Sequence, residues 1–179
     1  FEFNKLKMRA DMKIDIITYK DELEQDLKSM LGDYLKLVAK EVKHDPWRFE
    51  INIPEAIDFT FKNLNDFTPP KGKILIAQKS KQSVGTASIK KIRPETAEIK
   101  RMYVKPEYQG KGIGNLLLEN ALEEAKRMNA KEILLDSPPP FKPSHQLYEK
   151  YGFKIFQEYP EVAIPAELKV EWVYMKKIL

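Results

Sequence analysis

Residues 109–114 read Gln109, Gly110, Lys111, Gly112, Ile113 and Gly114, three glycines between a segment of strand character and one of helix character. Glycine has no Cβ, so the backbone N–H groups of such a turn can approach a ligand closely. The N-terminus of the helix that follows adds partial positive charge, which makes phosphate oxygens the natural guests. Lys111 is placed either to neutralise such a phosphate or to stand in solvent as an ordinary surface lysine. The spacing matches neither the dinucleotide fingerprint nor the P-loop, so those two phosphate chemistries are unsupported. Other chemistries drop out by residue type. The chain has no cysteine, which removes disulfides, thiolate zinc sites and cysteine nucleophiles, and only two histidines, His44 and His145, which argues against a histidine-built metal centre.

The elements that must position this turn can be read from periodicity. Ile14, Ile16 and Thr18 suggest a first strand. Between residues 21 and 43, Leu23, Leu27, Met30, Leu31, Tyr34, Leu35, Val38 and Val42 recur every three or four positions, an amphipathic helix ended by Pro46. A shorter helix is expected over 54–64 with Asn52 as its cap. Strands are expected over 73–78, 83–92 and 96–104, the first two joined by a hairpin turn at 79–82. The glycine turn then opens a helix to about Met128, with Leu117, Leu118, Ala121, Leu122 and Ala125 inward and Glu119, Glu123, Glu124 and Arg127 outward. Asn129 is a candidate left-handed terminator. A strand over 132–136 completes a β–α–β unit whose default is a parallel, right-handed crossover. A helix over 144–151 stopped by Gly152, a strand over 153–158 and a closing strand over 169–176 finish the chain.

Composition sets the outer limits. The protein has 179 residues, 42% hydrophobic and 32% charged, with 31 basic against 27 acidic side chains for a net charge of +4. That is one ordinary domain's worth of core, and it excludes a natively disordered chain. No apolar run approaches the roughly 20 residues that span a bilayer, and no signal segment is apparent at the start. The small net charge, with no long basic run, argues against nucleic acid as partner. We expect a single domain over 12–179 in the cytoplasm, with 1–11 a loose N-terminal arm or an expression remnant.

Ala97 to Val104, then Gln109 and the glycines, then Asn115 to Leu118, resembles motif A of the GNAT N-acetyltransferases. Leu147-Tyr148 followed by Gly152-Phe153 is similar to that family's second signature, in the right order and separated by a helix and a strand. The resemblance implies an α/β fold of three αβα layers with a mixed, mostly antiparallel central sheet. It implies acetyl-CoA as co-substrate and no metal, with the pyrophosphate on Gln109, Gly110, Lys111, Gly112, Ile113 and Gly114. The pantetheine arm would lie along the backbone edge of Met102, Tyr103 and Val104, and the N–H of Met102 or Tyr103 would also meet charge developing on the thioester carbonyl. Glu98 stands where several members carry a base, and a carboxylate can take the proton that an amine must lose. Tyr148 matches the tyrosine proposed to protonate the departing thiolate. Where members often carry Asn seven residues earlier, this chain has Phe141.

The implied activity is acetyl transfer to a primary amine, most simply of a small molecule, by direct attack with both substrates bound. A protein N-terminal or lysine acceptor is the alternative within enzymes, and a non-catalytic acyl-CoA-binding protein the alternative outside them. Candidate acceptor-site residues are His44, Asp45, Trp47, Arg48 and Glu50, with Phe141, Tyr159 and Trp172 as apolar walls. His145 reads as a surface or capping residue. No membrane or nucleic-acid partner is expected, and a homodimer stays open.

Overall fold

The computed structural model describes residues 13–169 and 171–179; the expected arm over 1–11 lies outside them. Seven strands form one sheet in the order β1-β2-β3-β4-β5-β7-β6. They are β1 (Ile14–Thr18), β2 (Gly72–Lys79), β3 (Gln82–Arg93), β4 (Thr96–Val104), β5 (Glu132–Ser137), β6 (Lys154–Phe156) and β7 (Val173–Ile178). Four α-helices accompany them among the described residues: α1 (Glu24–Val42), α2 (Ile53–Lys62), α3 (Ile113–Arg127) and α4 (Lys142–Lys150). Only β4 and β5 run parallel, as a strand–helix–strand crossover through α3 requires.

The sheet is covered on both faces. Helices α3 and α4 pack on one side over Leu75, Val84, Ile89, Ile99, Ile133, Leu135 and Phe153. On the other side α1 brings Leu27, Met30 and Leu31 against Ile74, Ile76 and Phe67, and Val38 and Val42 against Leu134, Trp172 and Tyr174. The expected three-layer α/β architecture with a mixed, mostly antiparallel sheet is what forms.

Local devices do the positioning. Asn52 caps α2, its Oδ1 accepting from Glu55 N–H at 3.2 Å. The hairpin between β2 and β3 turns at Ser80 and Lys81, both with positive φ (48° and 66°), which suits the strands' right-handed twist. Asn129, with φ 57°, ends the region after α3 in the left-handed conformation as expected.

Three details differ from the sequence reading. The closing strand is β7 at Val173–Ile178, not 169–176, and it enters between β5 and β6 instead of adding at the edge. The strand expected over 153–158 shortens to Lys154–Phe156. Glu124, expected outward, is buried at 8% exposure because it reaches back to the sheet, where Lys73 Nζ donates to its carboxylate at 2.6 Å.

Candidate active site

The site begins with a defect in β4. Opposite β3, Thr86 pairs with Tyr103 and Ser88 with Lys100, so β4 carries one residue more than its partner over this stretch. The surplus is a β-bulge at Arg101, whose φ of 54° breaks the alternation of side chains. Lys100 and Arg101 consequently both turn toward the α1 side: Lys100 reaches Glu98 and Asp136, and the Arg101 guanidinium lies over the Phe67 ring at 4.8 Å. Beyond the bulge β4 also leaves its parallel neighbour. Pairing with β5 ends at Ile99↔Leu135, which leaves Met102, Tyr103 and Val104 paired only with β3's side of the sheet. The opposite backbone edge of these residues is open to a ligand, except that Gln109 Nε2 donates to Val104 O at 2.9 Å.

A cleft occupies the opening. Tyr34, Ile99, Lys100, Arg101, Met102, Asp136, Ser137, Pro138, Phe141, Ser144 and Tyr148 line it. Its floor is charged. Lys100 Nζ donates to Asp136 Oδ1 at 2.6 Å and to Glu98 Oε1 at 3.3 Å, and Trp172 Nε1 donates to Asp136 Oδ2 at 2.9 Å. Burial alone would discharge Lys100, but the two carboxylates outweigh it and raise its pKa. Arg101 moves the other way, lowered chiefly by burial.

Glu98 is in this network yet does not line the cleft. It is 0% exposed, its Oε1 also accepts from Tyr159 O–H at 2.7 Å, and its Oε2 lies 3.8 Å from Lys90 Nζ without a hydrogen-bond partner among the described residues. The carboxylate at the cleft wall is Asp136, which sequence reasoning missed. Its only local signal is an acid at the end of an apolar strand, after Ile133, Leu134 and Leu135.

Tyr148 stands on α4, its ring 5.9 Å from Phe153 and buried in the α3-side core. Its hydroxyl has no hydrogen-bond partner among the described residues and is not sealed off, so it faces the cleft. Burial, with Tyr34 and Asp136 nearby, raises its pKa and keeps the phenol protonated.

The glycine turn lies at the start of α3. Gly112 is the helix's N-cap with φ 83°, Gly110 has φ 71°, and a Cβ at either would meet nothing within 4 Å. The first intrahelical bond runs from Leu116 N–H to Gly112 O at 3.1 Å, so the N–H groups of Ile113, Gly114 and Asn115 precede it and need an outside partner. Gly114 serves packing instead: a Cβ there would meet Leu147 Cδ2 at 3.3 Å. Lys111 bends back, its Nζ donating to Glu107 O at 2.6 Å and lying 5.3 Å from the Tyr108 ring centroid.

Of the candidate acceptor residues, Phe141 lines the cleft, Trp172 holds Asp136 and Tyr159 covers Glu98. Trp47 packs edge-on against Trp172 at 6.3 Å. His44, Asp45, Arg48 and Glu50 are exposed outside the cleft, with Arg48 paired to Asp45. His145 is not a surface residue: it is 7% exposed, with Nε2 3.0 Å from Ser137 Oγ. No cluster of three or more His, Cys, Asp or Glu suited to a metal exists among the described residues, and none of their helices is long and apolar enough to cross a membrane.

Tyr148 and the splayed part of β4 meet at this cleft, and the glycine turn opens the helix that follows β4 in the chain. The chain belongs to the GNAT family of acetyltransferases, whose model matches residues 39–153, more than half of its length. It is therefore an acetyl-CoA-dependent N-acetyltransferase by class. It is 29% identical over 120 residues to an uncharacterised N-acetyltransferase of Schizosaccharomyces pombe, a match covering 62% of this chain and 74% of that protein. A putative ribosomal protein bS18-alanine N-acetyltransferase of Bacillus subtilis is 29% identical over 85 residues, 48% of this chain and 56% of that one. Among solved structures, the PaiA N-acetyltransferase of Thermoplasma acidophilum in complex with coenzyme A superposes with a TM-score of 0.73 at 23% identity, covering 94% of this chain and 100% of that one. An acetyltransferase from Streptococcus agalactiae gives 0.72 at 24% identity, covering 93% and 98%.

Proposed function

We propose that the protein transfers the acetyl group of acetyl-CoA to the primary amine of a small molecule, in the cleft between β4 and β5. The observation that carries this reading is the Tyr148 hydroxyl, protonated, without a hydrogen-bond partner among the described residues and facing that cleft. The α3 N-terminus and the open space over Gly110 and Gly112 suit the pyrophosphate, and the free edge of Met102, Tyr103 and Val104 suits the amide-bearing arm. The cofactor supplies an activated thioester.

The residues handle protons and charge. Asp136 faces the incoming ammonium, and the Asp136–Lys100–Glu98 network takes its proton, Glu98 acting from beneath the floor through water. The amine nitrogen then forms the new C–N bond as the C–S bond breaks, Tyr148 gives its proton to the sulfur, and the second proton that the nitrogen sheds on becoming an amide restores the phenol. Without cysteine, direct attack with both substrates bound needs no acyl-enzyme.

The test is a screen of polyamines, amino acids, aminoglycosides and peptides with acetyl-CoA, read by release of free thiol. Amine-dependent release supports the reading. Tight CoA binding with no release for any amine would leave a binding protein instead. A peptide acceptor preferred over all small amines would favour the protein-acetylating alternative, toward which the Bacillus subtilis relative points.

A further inference from the structure

A guanidinium inside a protein is normally matched by a carboxylate, because water has been stripped from its five N–H groups. Arg101 breaks that rule. It is half-buried on the cleft floor, and burial depresses its pKa, yet among the described residues it makes no ion pair and no hydrogen bond. Its guanidinium carbon stands over the Phe67 ring, 4.8 Å from the centroid, a contact that uses none of its N–H donors in a hydrogen bond. Those donors are not sealed in protein, and the residue lines the cleft.

The neighbours do not supply the missing anion. Asp136 is held on both oxygens, by Lys100 and by Trp172. Glu98 is enclosed beneath the floor by Tyr159 and Lys100. The Lys100 charge is matched by those two acids, whereas Arg101 is a cleft cation with no ion pair among the described residues. Tyr34, across the cleft on α1, likewise has a hydroxyl with no hydrogen-bond partner among the described residues.

We propose that the acceptor is a small amine that also carries a carboxylate, and that Arg101 is the residue that selects it. The inference rests on the acetyl-transfer reading above and names the substrate class for it. The amine lies toward Asp136 and Tyr148, where the proton and the acyl group are exchanged. The carboxylate lies on the N–H edge of Arg101, with the Tyr34 hydroxyl as second donor. A planar guanidinium fork fits two carboxylate oxygens side by side, which a lysine at this position would not match.

The experiment compares pairs of primary amines of equal length that carry a carboxylate in one member and a carboxamide in the other. Each is assayed at saturating acetyl-CoA with the wild-type protein and with Arg101→Met, which keeps an apolar stem against Phe67 and removes the charge. CoA affinity is measured on both proteins by calorimetry. The proposal expects the carboxylate member to be favoured by ~10- to 100-fold in kcat/KM, mainly through KM, in the wild type. In Arg101→Met that ratio should fall toward one while CoA still binds. Wild-type protein that uses the carboxamide members as well or better would overturn it, whether or not the variant folds. So would a preference unchanged in a CoA-binding Arg101→Met. Failure of the wild type to bind CoA would instead sink the acetyl-transfer reading on which the proposal stands.

Discussion

Glu98 and Asp136 share one lysine, and depth divides their work. Asp136 meets the cleft, whereas Glu98 is fully enclosed, and its Oε2 has the Lys90 charge at 3.8 Å but no hydrogen bond among the described residues, a costly arrangement in a core unless that oxygen has a use. Glu98→Gln keeps the shape and removes the proton acceptor, and Lys100 still has Asp136. We expect kcat to fall by about 10²–10⁴, with a smaller deficit at high pH where the acceptor is already a free amine. An unchanged pH–rate profile would show that the proton leaves through Asp136 alone. His145 gives a second prediction at this scale. It packs between Ser137, Pro138, Lys142 and Glu149, and burial, followed by the Lys142 charge, lowers its pKa. The folded protein therefore binds fewer protons here than the unfolded chain. Its contribution is complete above about pH 6.5, the unfolded imidazole's value, and is lost as pH falls below that. Melting curves between pH 7 and 5 should fall less steeply for His145→Gln than for wild type, and equal slopes would contradict this.

At the scale of elements, the turn and the bulge are held by tight backbone packing. A Cβ at Gly85 would lie 2.9 Å from Tyr103 O and 3.2 Å from Leu117 Cδ1, so β3, β4 and α3 all bear on that position. Gly85→Ala should destabilise by about 1–3 kcal/mol, the usual cost of overpacking, and weaken CoA binding by displacing the open edge of β4. A variant with unchanged melting temperature would show that the strands give way freely. Gly112 is the opposite case. It has room for a side chain but φ 83°, and that room is where we propose the pyrophosphate binds. Gly112→Val should fold and lose CoA-induced thermal stabilisation, and unchanged CoA affinity by calorimetry would remove the turn from the binding site. The glycine turn was legible because glycines with positive φ leave a mark in sequence, as did α1 and α3, whose buried residues recur at helical spacing. The bulge was not, because a non-glycine residue occupies it and nothing local marks Arg101. The insertion of β7 between β5 and β6 was also hidden, since spatial order is set by distant pairing such as Leu135 with Met175.

For the whole molecule, the sheet supplies a seam and the helices close it differently on each side. On one face α3 and α4 bring the glycine turn and Tyr148; on the other α1 brings Tyr34, and the aromatic cluster around Trp172 and Tyr159 covers the charges. Asp136 escaped sequence reasoning for the same reason: only the assembled seam sets it opposite Lys100. We propose that the chemistry takes place at this seam, with Tyr148 as proton donor. The most direct test is Tyr148→Phe, with kcat at saturating acetyl-CoA and acceptor, CoA affinity and melting temperature all taken on one preparation. The hydroxyl has no hydrogen-bond partner among the described residues, and the ring against Phe153 is kept, so stability and CoA affinity should stay near wild type. We expect kcat to fall by roughly one to three decades, since a thiolate leaves fairly well without help. Full kcat would contradict this, and a loss of stability with normal turnover would make Tyr148 a packing residue.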